Sequence, residues 1–171
     1  MALKQRFERI DKTVHDLKGF DCGKPEMNRF LTQHAVKHGK LGLSSTFVLT
    51  EDTASASKRP VAVYYTLCSA TVTRQSLPTT QSLPAYPVPV VLLARLAVDT
   101  HYQRQRLGEK SLVYALRHAV QLCDSGLPAY GLMLDVLDQD ALHFYQQFDM
   151  FECFADNPMR LFVSMNTLRD V

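Results

Sequence analysis

One passage constrains this chain more than any other. The apolar run Val90–Val98, "VVLLARLAV", leads within a few residues into a charged turn, "QRQRLG" (Gln103–Gly108), which opens directly onto an amphipathic segment. A run so nearly continuous in apolar residues predicts a strand buried on both faces at the centre of a sheet. In "GEKSLVYALRHAVQLC", Leu112, Val113, Leu116, Ala119, Val120 and Cys123 recur at helical spacing, with Lys110, Tyr114, Arg117 and Gln121 opposite them. Strand, tight turn and helix in succession leave unpartnered N–H groups at a helix N-terminus, where the dipole adds positive charge, and that geometry favours a phosphate. Taken alone, a turn with the single glycine Gly108 is weak evidence for a phosphate site and reads first as a charged helix start.

The flanking patterns extend the strand-turn-helix unit into a domain. "PEMNRFLTQHAVKH" from Pro25 carries apolar residues at Met27, Phe30, Leu31 and His34 or Ala35, with a proline suited to a first helical turn and Gly39 and Gly42 to stop it. "STFVLT" (Ser45–Thr50) and "PVAVYYTLCSATV" (Pro60–Val72) read as antiparallel strands joined through the polar stretch "EDTASASKR". The segment from Gln75 to Pro89 holds "QSLP" twice and four prolines, which predicts an extended arm rather than a sheet interior. A strand over Tyr130–Leu137, a short helix capped by Asp138 with Ala141, Phe144, Tyr145 and Phe148 on one face, and a closing strand "RLFVSM" complete the chain. Helices and mostly antiparallel strands in this order predict one α+β (mixed α/β) domain spanning 1–171.

Composition removes several function classes. No apolar run approaches the roughly 20 residues of a membrane span and no apolar leader follows "MALKQRFERID", so the expectation is a cytoplasmic protein without a membrane partner. Cys22, Cys68, Cys123 and Cys153 are scattered, with no CxxC, which indicates neither a zinc site nor a disulfide framework. His34 and His38 share an i, i+4 spacing without the glutamate of HExxH, so no metal is expected. The 19 basic against 17 acidic residues leave a net charge of +2, too small to identify a nucleic-acid binder. Two clusters, Lys37/His38/Lys40 and Arg104/Arg106/Lys110 with Arg117, suit either a polyanion or ordinary solvation.

The passage "LPAYPVPVVLLARLAVDTHYQRQRLGEKSLVYALRHAV", followed by "DQDALHFYQQFDMF", resembles the acetyl-CoA-binding core of the GNAT (GCN5-related N-acetyltransferase) superfamily. That family's pattern is Gln or Arg, two residues, Gly, one residue, Gly or Ala; here Gln103 and Gly108 match it and Arg106 stands in place of the first glycine. "FDCGKPEMNRFL" near the start and "NPMRLFVSMNTL" near the end narrow the likeness to the GNAT toxins of bacterial type II toxin-antitoxin pairs. The resemblance implies a twisted central sheet with a splayed central strand pair, flanked by helices.

It also implies roles. Leu96, Ala97 and Val98 match the strand whose exposed backbone pairs with the pantetheine arm, with the Val98 N–H as donor to the oxyanion formed when an amine attacks a thioester. Gln103, Arg104, Gln105, Arg106, Leu107 and Gly108, running into Glu109, match the pyrophosphate cradle. The arginine side chain at Arg106 is expected either to grip phosphate or to mark a weakened site. Tyr145 matches the tyrosine placed beside the cofactor sulfur as general acid, with Phe144 next to it. Asp138 either touches the pantetheine amides or is a plain helix cap. Glu109, His101 and a water chain are alternative bases. The implied activity is transfer of acetyl from acetyl-CoA to the α-amine of an aminoacyl-tRNA, with a ribbon-helix-helix antitoxin and a second copy of the chain as partners. Acetylation of a small-molecule or protein amine, or non-catalytic acetyl-CoA binding, remain open alternatives.

Overall fold

The computed structural model of the protein describes residues 2–53 and 57–171, so the middle of the "EDTASASKR" connection lies outside the described residues. The chain groups into two compact units, Met1–Cys68 with Arg95–Leu112, and Ser69–Ala94 with Val113–Val171.

The first unit carries β1 (Glu8–Arg9), β2 (His15–Asp16), α1 (Pro25–Gln33), α2 (Ala35–Lys40), β3 (Ser45–Thr50) and most of β4 (Arg59–Val72). β1 pairs antiparallel with β3 and β3 antiparallel with β4, while β2 runs parallel to the start of β4. β4 is the strand buried on both faces: every residue from Val61 to Leu67 is buried. On one face Tyr64 meets Phe20 and Phe30, and on the other Tyr65 meets Phe7 and Phe47. α1 turns Met27, Phe30 and Leu31 onto the Tyr64 face, and Tyr64 donates its hydroxyl hydrogen to the Met27 carbonyl at 2.7 Å. The helical stretch from Pro25 breaks at His34, and Gly39 lies inside α2 instead of ending it. The turn is made by Gly42, at φ 76, a conformation open to glycine.

The second unit holds the start of β5 (Val88–Val98), most of α3 (Leu107–Asp124), β6 (Gly131–Asp135), α4 (Gln139–Gln146), β7 (Glu152–Phe154), β8 (Asn157–Ser164) and α5 (Met165–Leu168). Val90–Leu93 pair parallel with Gly131–Leu134; β6 pairs antiparallel with β8, and β8 with β7. Val72, Leu77, Val88, Val90, Met133, Phe154 and Phe162 form its core, with Tyr130 stacked on Phe162. The proline-rich arm opens on a 3-10 turn, Arg74–Ser76, instead of running extended from Gln75, and it is tied down: Arg74 Nη1 donates to the Leu83 carbonyl at 2.7 Å, and the Tyr130 hydroxyl meets Thr79 and Gln81. It ends before Pro89, which sits exposed as the second residue of β5, where a missing N–H is tolerated.

Two expectations change. β5 is buried only at Val88, Val90, Leu93 and Ala97, and the intervening residues other than the exposed Pro89 are half-buried, so its apolar run marks something besides a sealed core. α3 buries Ser111, Leu112, Ala115, Leu116 and Ala119, leaving Val113, Val120 and Cys123 half-exposed. Among the described residues, no helix is long and apolar enough to cross a membrane.

Candidate active site

β5 outlasts its parallel neighbour. The paired register stops at Leu93 opposite Leu134, yet β5 runs on through Ala94–Val98. Side chains alternate over that extension: Leu96 and Val98 pack with Leu49, Ala62 and Val63, while Ala97 joins the α1 side and Arg95 lays its guanidinium 4.2 Å from the Phe30 ring centre. Both faces of Leu96–Val98 are thus anchored by packing, and the backbone is what the strand has to offer.

Beyond Val98 the chain makes a short 3-10 turn, Thr100–Tyr102, and then the charged turn. Arg104 and Arg106 stand at φ 65 and φ 58. They are the two non-glycine residues with positive φ among the described residues, and each costs on the order of 1–2 kcal/mol relative to a right-handed conformation. Arg106 therefore adopts the backbone conformation for which a glycine is suited, and its side chain does not prevent it. The Lys110 N–H bonds the Arg106 carbonyl at 3.2 Å, so α3 starts here and the first-turn amides of Leu107, Gly108 and Glu109 have no intrahelical acceptor. Backbone with left-handed residues just before a helix start forms a concave set of N–H donors suited to an anion. Gln103–Arg106 are exposed, and Leu107, Gly108 and Glu109 are half-buried.

The side chain of Gln103 is committed elsewhere: its Nε2 donates to the Val98 carbonyl at 2.8 Å and to the Cys22 carbonyl at 3.1 Å. Asp99, which sequence reasoning missed, is buried and accepts from the backbone N–H groups of Asp21 and His101, both at 2.9 Å. His101 is exposed and holds Nδ1 2.8 Å from Asp99, leaving Nε2 as its outward nitrogen. Tyr102 donates its hydroxyl to Glu51 and, like Leu96, Val98 and Leu107, packs against the Leu49, Ala62 and Val63 cluster. The signal for Asp99 was present in "DTH" as an Asx turn, but its partner Asp21 lies far away in sequence.

The remaining candidates lie in the second unit. Asp138 caps α4, accepting from the Ala141 N–H at 2.9 Å. Tyr145 is buried on that helix, with Phe144 at 5.1 Å and Phe151 at 6.0 Å between ring centres, both edge-on. Burial pushes the Tyr145 phenol well above its ordinary pKa, so it is protonated throughout the physiological range. Among the described residues its hydroxyl has no hydrogen-bond partner, which leaves the proton available to an incoming acceptor. The first unit thus gathers Leu96–Val98 with Gln103–Glu109, and the second gathers Asp138, Phe144 and Tyr145. His34 and His38 pack as tilted rings 5.6 Å apart against Phe30.

Known proteins resemble the chain along nearly all of its length. It is 34% identical over 157 residues to a tRNA-acetylating toxin of Mycobacterium tuberculosis (strain ATCC 25618 / H37Rv), covering 90% of this chain and 89% of the relative. The crystal structure of the Y145F mutant of KacT superposes with a TM-score of 0.88 at 25% identity, covering 99% of both chains. A mutant AtaT toxin bound to the C-terminus of the antitoxin AtaR and acetyl-CoA gives 0.81 at 25% identity, covering 99% of this chain and 97% of that one. AtaT complexed with acetyl-methionyl-tRNAfMet gives 0.85 at 27%, covering 98% and 97%. No family model matches the sequence.

Proposed function

Because the chain belongs to the GNAT family of tRNA-acetylating toxins, we propose that it transfers the acetyl group of acetyl-CoA to the α-amine of an aminoacyl-tRNA. The acylated residue can no longer attack peptidyl-tRNA, and translation stops. The observation that carries the reading is the extension of β5 past its parallel partner into a turn whose two arginines hold glycine-like backbone at the start of an 18-residue helix. Acetyl-CoA bound to one structural relative and an acetylated tRNA bound to another support the same co-substrates here.

In this reading the amides from Gln103 to Glu109 receive the pyrophosphate, and the guanidinium groups of Arg104 and Arg106 add charge-assisted contacts. The backbone of Leu96, Ala97 and Val98 pairs with the pantetheine arm, and the Val98 N–H faces the thioester oxygen as negative charge develops there. The amine nitrogen bonds to the acetyl carbon, the carbon–sulfur bond breaks, the departing sulfur takes the Tyr145 proton, and the phenolate regains a proton from solvent. A phenol made less acidic by burial still serves, because the same dry surroundings make a thiolate a stronger base. An aminoacyl amine is a weaker base than an ordinary alkyl amine, and its surplus proton leaves through Glu109, His101 or a water chain. Phe144 shapes the wall beside Tyr145, and Asp138 fixes the start of their helix.

The partners in this reading are a ribbon-helix-helix antitoxin, a second copy of the chain and charged tRNA in the cytoplasm; an antitoxin bound to a structural relative supports the first. The test is to incubate the purified protein with labelled acetyl-CoA and charged total tRNA, hydrolyse the ester, and identify the N-acetyl amino acid. Bound acetyl-CoA with no tRNA-linked label overturns the proposal.

A further inference from the structure

The turn that begins the cradle is strained, and strained backbone persists only where its surroundings over-determine it. Its surroundings here are specific. Asp99 is 4% exposed, and its carboxylate spends Oδ2 on the Asp21 N–H and Oδ1 on the His101 N–H and ring. The Thr100 N–H returns a bond to the Asp21 carbonyl at 2.8 Å, and the Asp99 N–H bonds the Ala62 carbonyl of β4 at 2.8 Å. Gln103 then reaches back to the carbonyls of Val98 and Cys22. Between Val98 and Arg104 the chain is thus fastened to its neighbours through Asp99, Thr100 and Gln103.

The loop on the other side is equally well fixed. Asp21 closes its own Asx turn by accepting from the Gly23 N–H at 2.8 Å, with Gly23 at φ 84. Asn28, on α1, completes the block: its Oδ1 accepts from the Cys22 N–H and its Nδ2 donates to Asp21 Oδ1, both at 2.9 Å. Two Asx turns, one before α1 and one after β5, are thereby joined face to face. Hydrogen bonds to a charged, buried acceptor are the strong ones, and an unpaired carboxylate at that depth would be costly.

We infer that Asp99 is a positioning residue for the acetyl-CoA turn, acting through the Asp21–Lys24 loop so that Asn28 of α1 helps to hold amides it does not touch. Asp99 itself stays inward, its charge matched by backbone donors, and does not oppose a phosphate. The inference rests on the reading that the turn receives acetyl-CoA.

The experiment uses the full chain and the variants Asn28→Ala and Asp99→Ala. It measures acetyl-CoA affinity by calorimetry and hydrogen exchange at the hydrogen-bonded amides of residues 99, 100, 102 and 110 that flank the turn, with the amides of β8 as reference. Loss of the Asn28 bonds should weaken acetyl-CoA about 5-fold and loss of the Asp99 carboxylate about 10-fold or more, with turnover at saturating acetyl-CoA nearly unchanged. Exchange at these flanking amides should accelerate selectively. A residue that only stabilises the fold would lower the melting temperature and speed exchange in β8 equally, without altering affinity, and that result overturns the inference. If Asp99→Ala does not fold, Asn28→Ala decides. If the wild-type protein binds no acetyl-CoA, the proposed function falls and the inference falls with it; if it binds acetyl-CoA and Asn28→Ala changes neither affinity nor exchange at the flanking amides, the inference alone falls.

Discussion

The turn before α3 and the helix that carries Tyr145 solve opposite problems with opposite materials. The turn is polar and exposed, keeps two arginines in left-handed backbone, and is held through Gln103 by bonds to the Cys22 and Val98 carbonyls. The Tyr145 helix is held by aromatic edges, Phe144 and Phe151, around a phenol with no polar partner among the described residues. An anion is met by main-chain donors, whose placement depends on backbone shape. A proton is delivered by one side chain, whose acidity depends on dryness. Substitutions in the turn should therefore change affinity, and substitutions on the helix should change turnover.

The largest effect expected is from Tyr145→Phe, which keeps the ring packing and removes the proton. Transfer should fall by about 100-fold or more, while acetyl-CoA affinity is unchanged. Near-wild-type turnover would break the division. Stability at alkaline pH checks the dryness separately. Because burial raises the folded-state pKa above that of the unfolded chain, this tyrosine contributes stability that is present below about pH 10 and declines above it. Tyr145→Phe should soften that alkaline loss without abolishing it, since buried Tyr64 is shifted the same way.

The next test separates charge from backbone at Arg106. Arg106→Ala removes the guanidinium and keeps the unfavourable φ, whereas Arg106→Gly removes both. The glycine variant should be more stable than the alanine variant by roughly 1 kcal/mol, and both should bind acetyl-CoA several-fold more weakly than the wild type. Tighter binding by Arg106→Gly would mean that the arginine only obstructs. Raising the salt concentration should erase most of the wild-type advantage, because exposed charges are screened, and should leave turnover at saturation alone.

How much of this was legible in the sequence follows the range of the interactions. Ser45–Thr50 emerged as β3 with its limits intact, because alternating β-branched residues report local backbone shape. Tyr145 stood out through the likeness of its surroundings to a known family, and Asp138 announced itself as a cap through its position before the helix. Only the burial of β5 was misread, since a strand half-covered along its length is as apolar as one sealed on both faces, and the sealed strand was β4. The two-residue strands β1 and β2 are too short for any periodicity. Asp99 and Asp21 were each readable as a turn former, but their mutual bond is a tertiary event that neither local sequence encodes. Arg106 could not be resolved from sequence either, because a side chain's identity says which φ is costly and only the fold says which φ is imposed.

The smallest expected effect lies at Asp138 and sharpens the comparison from the helix side. Its carboxylate accepts from the Ala141 N–H, so the cap alone accounts for about 1 kcal/mol of helix stability. Asp138→Ala should lose that amount and lower the melting temperature slightly, and Asp138→Ser, which retains a capping oxygen, should restore it. Acetyl-CoA affinity should be indifferent to both. If serine restores stability while affinity stays several-fold weakened, Asp138 touches the pantetheine amides as well. The helix would then share in holding the ligand, and the division between a turn that binds and a helix that delivers a proton would have to be drawn one residue further along the chain.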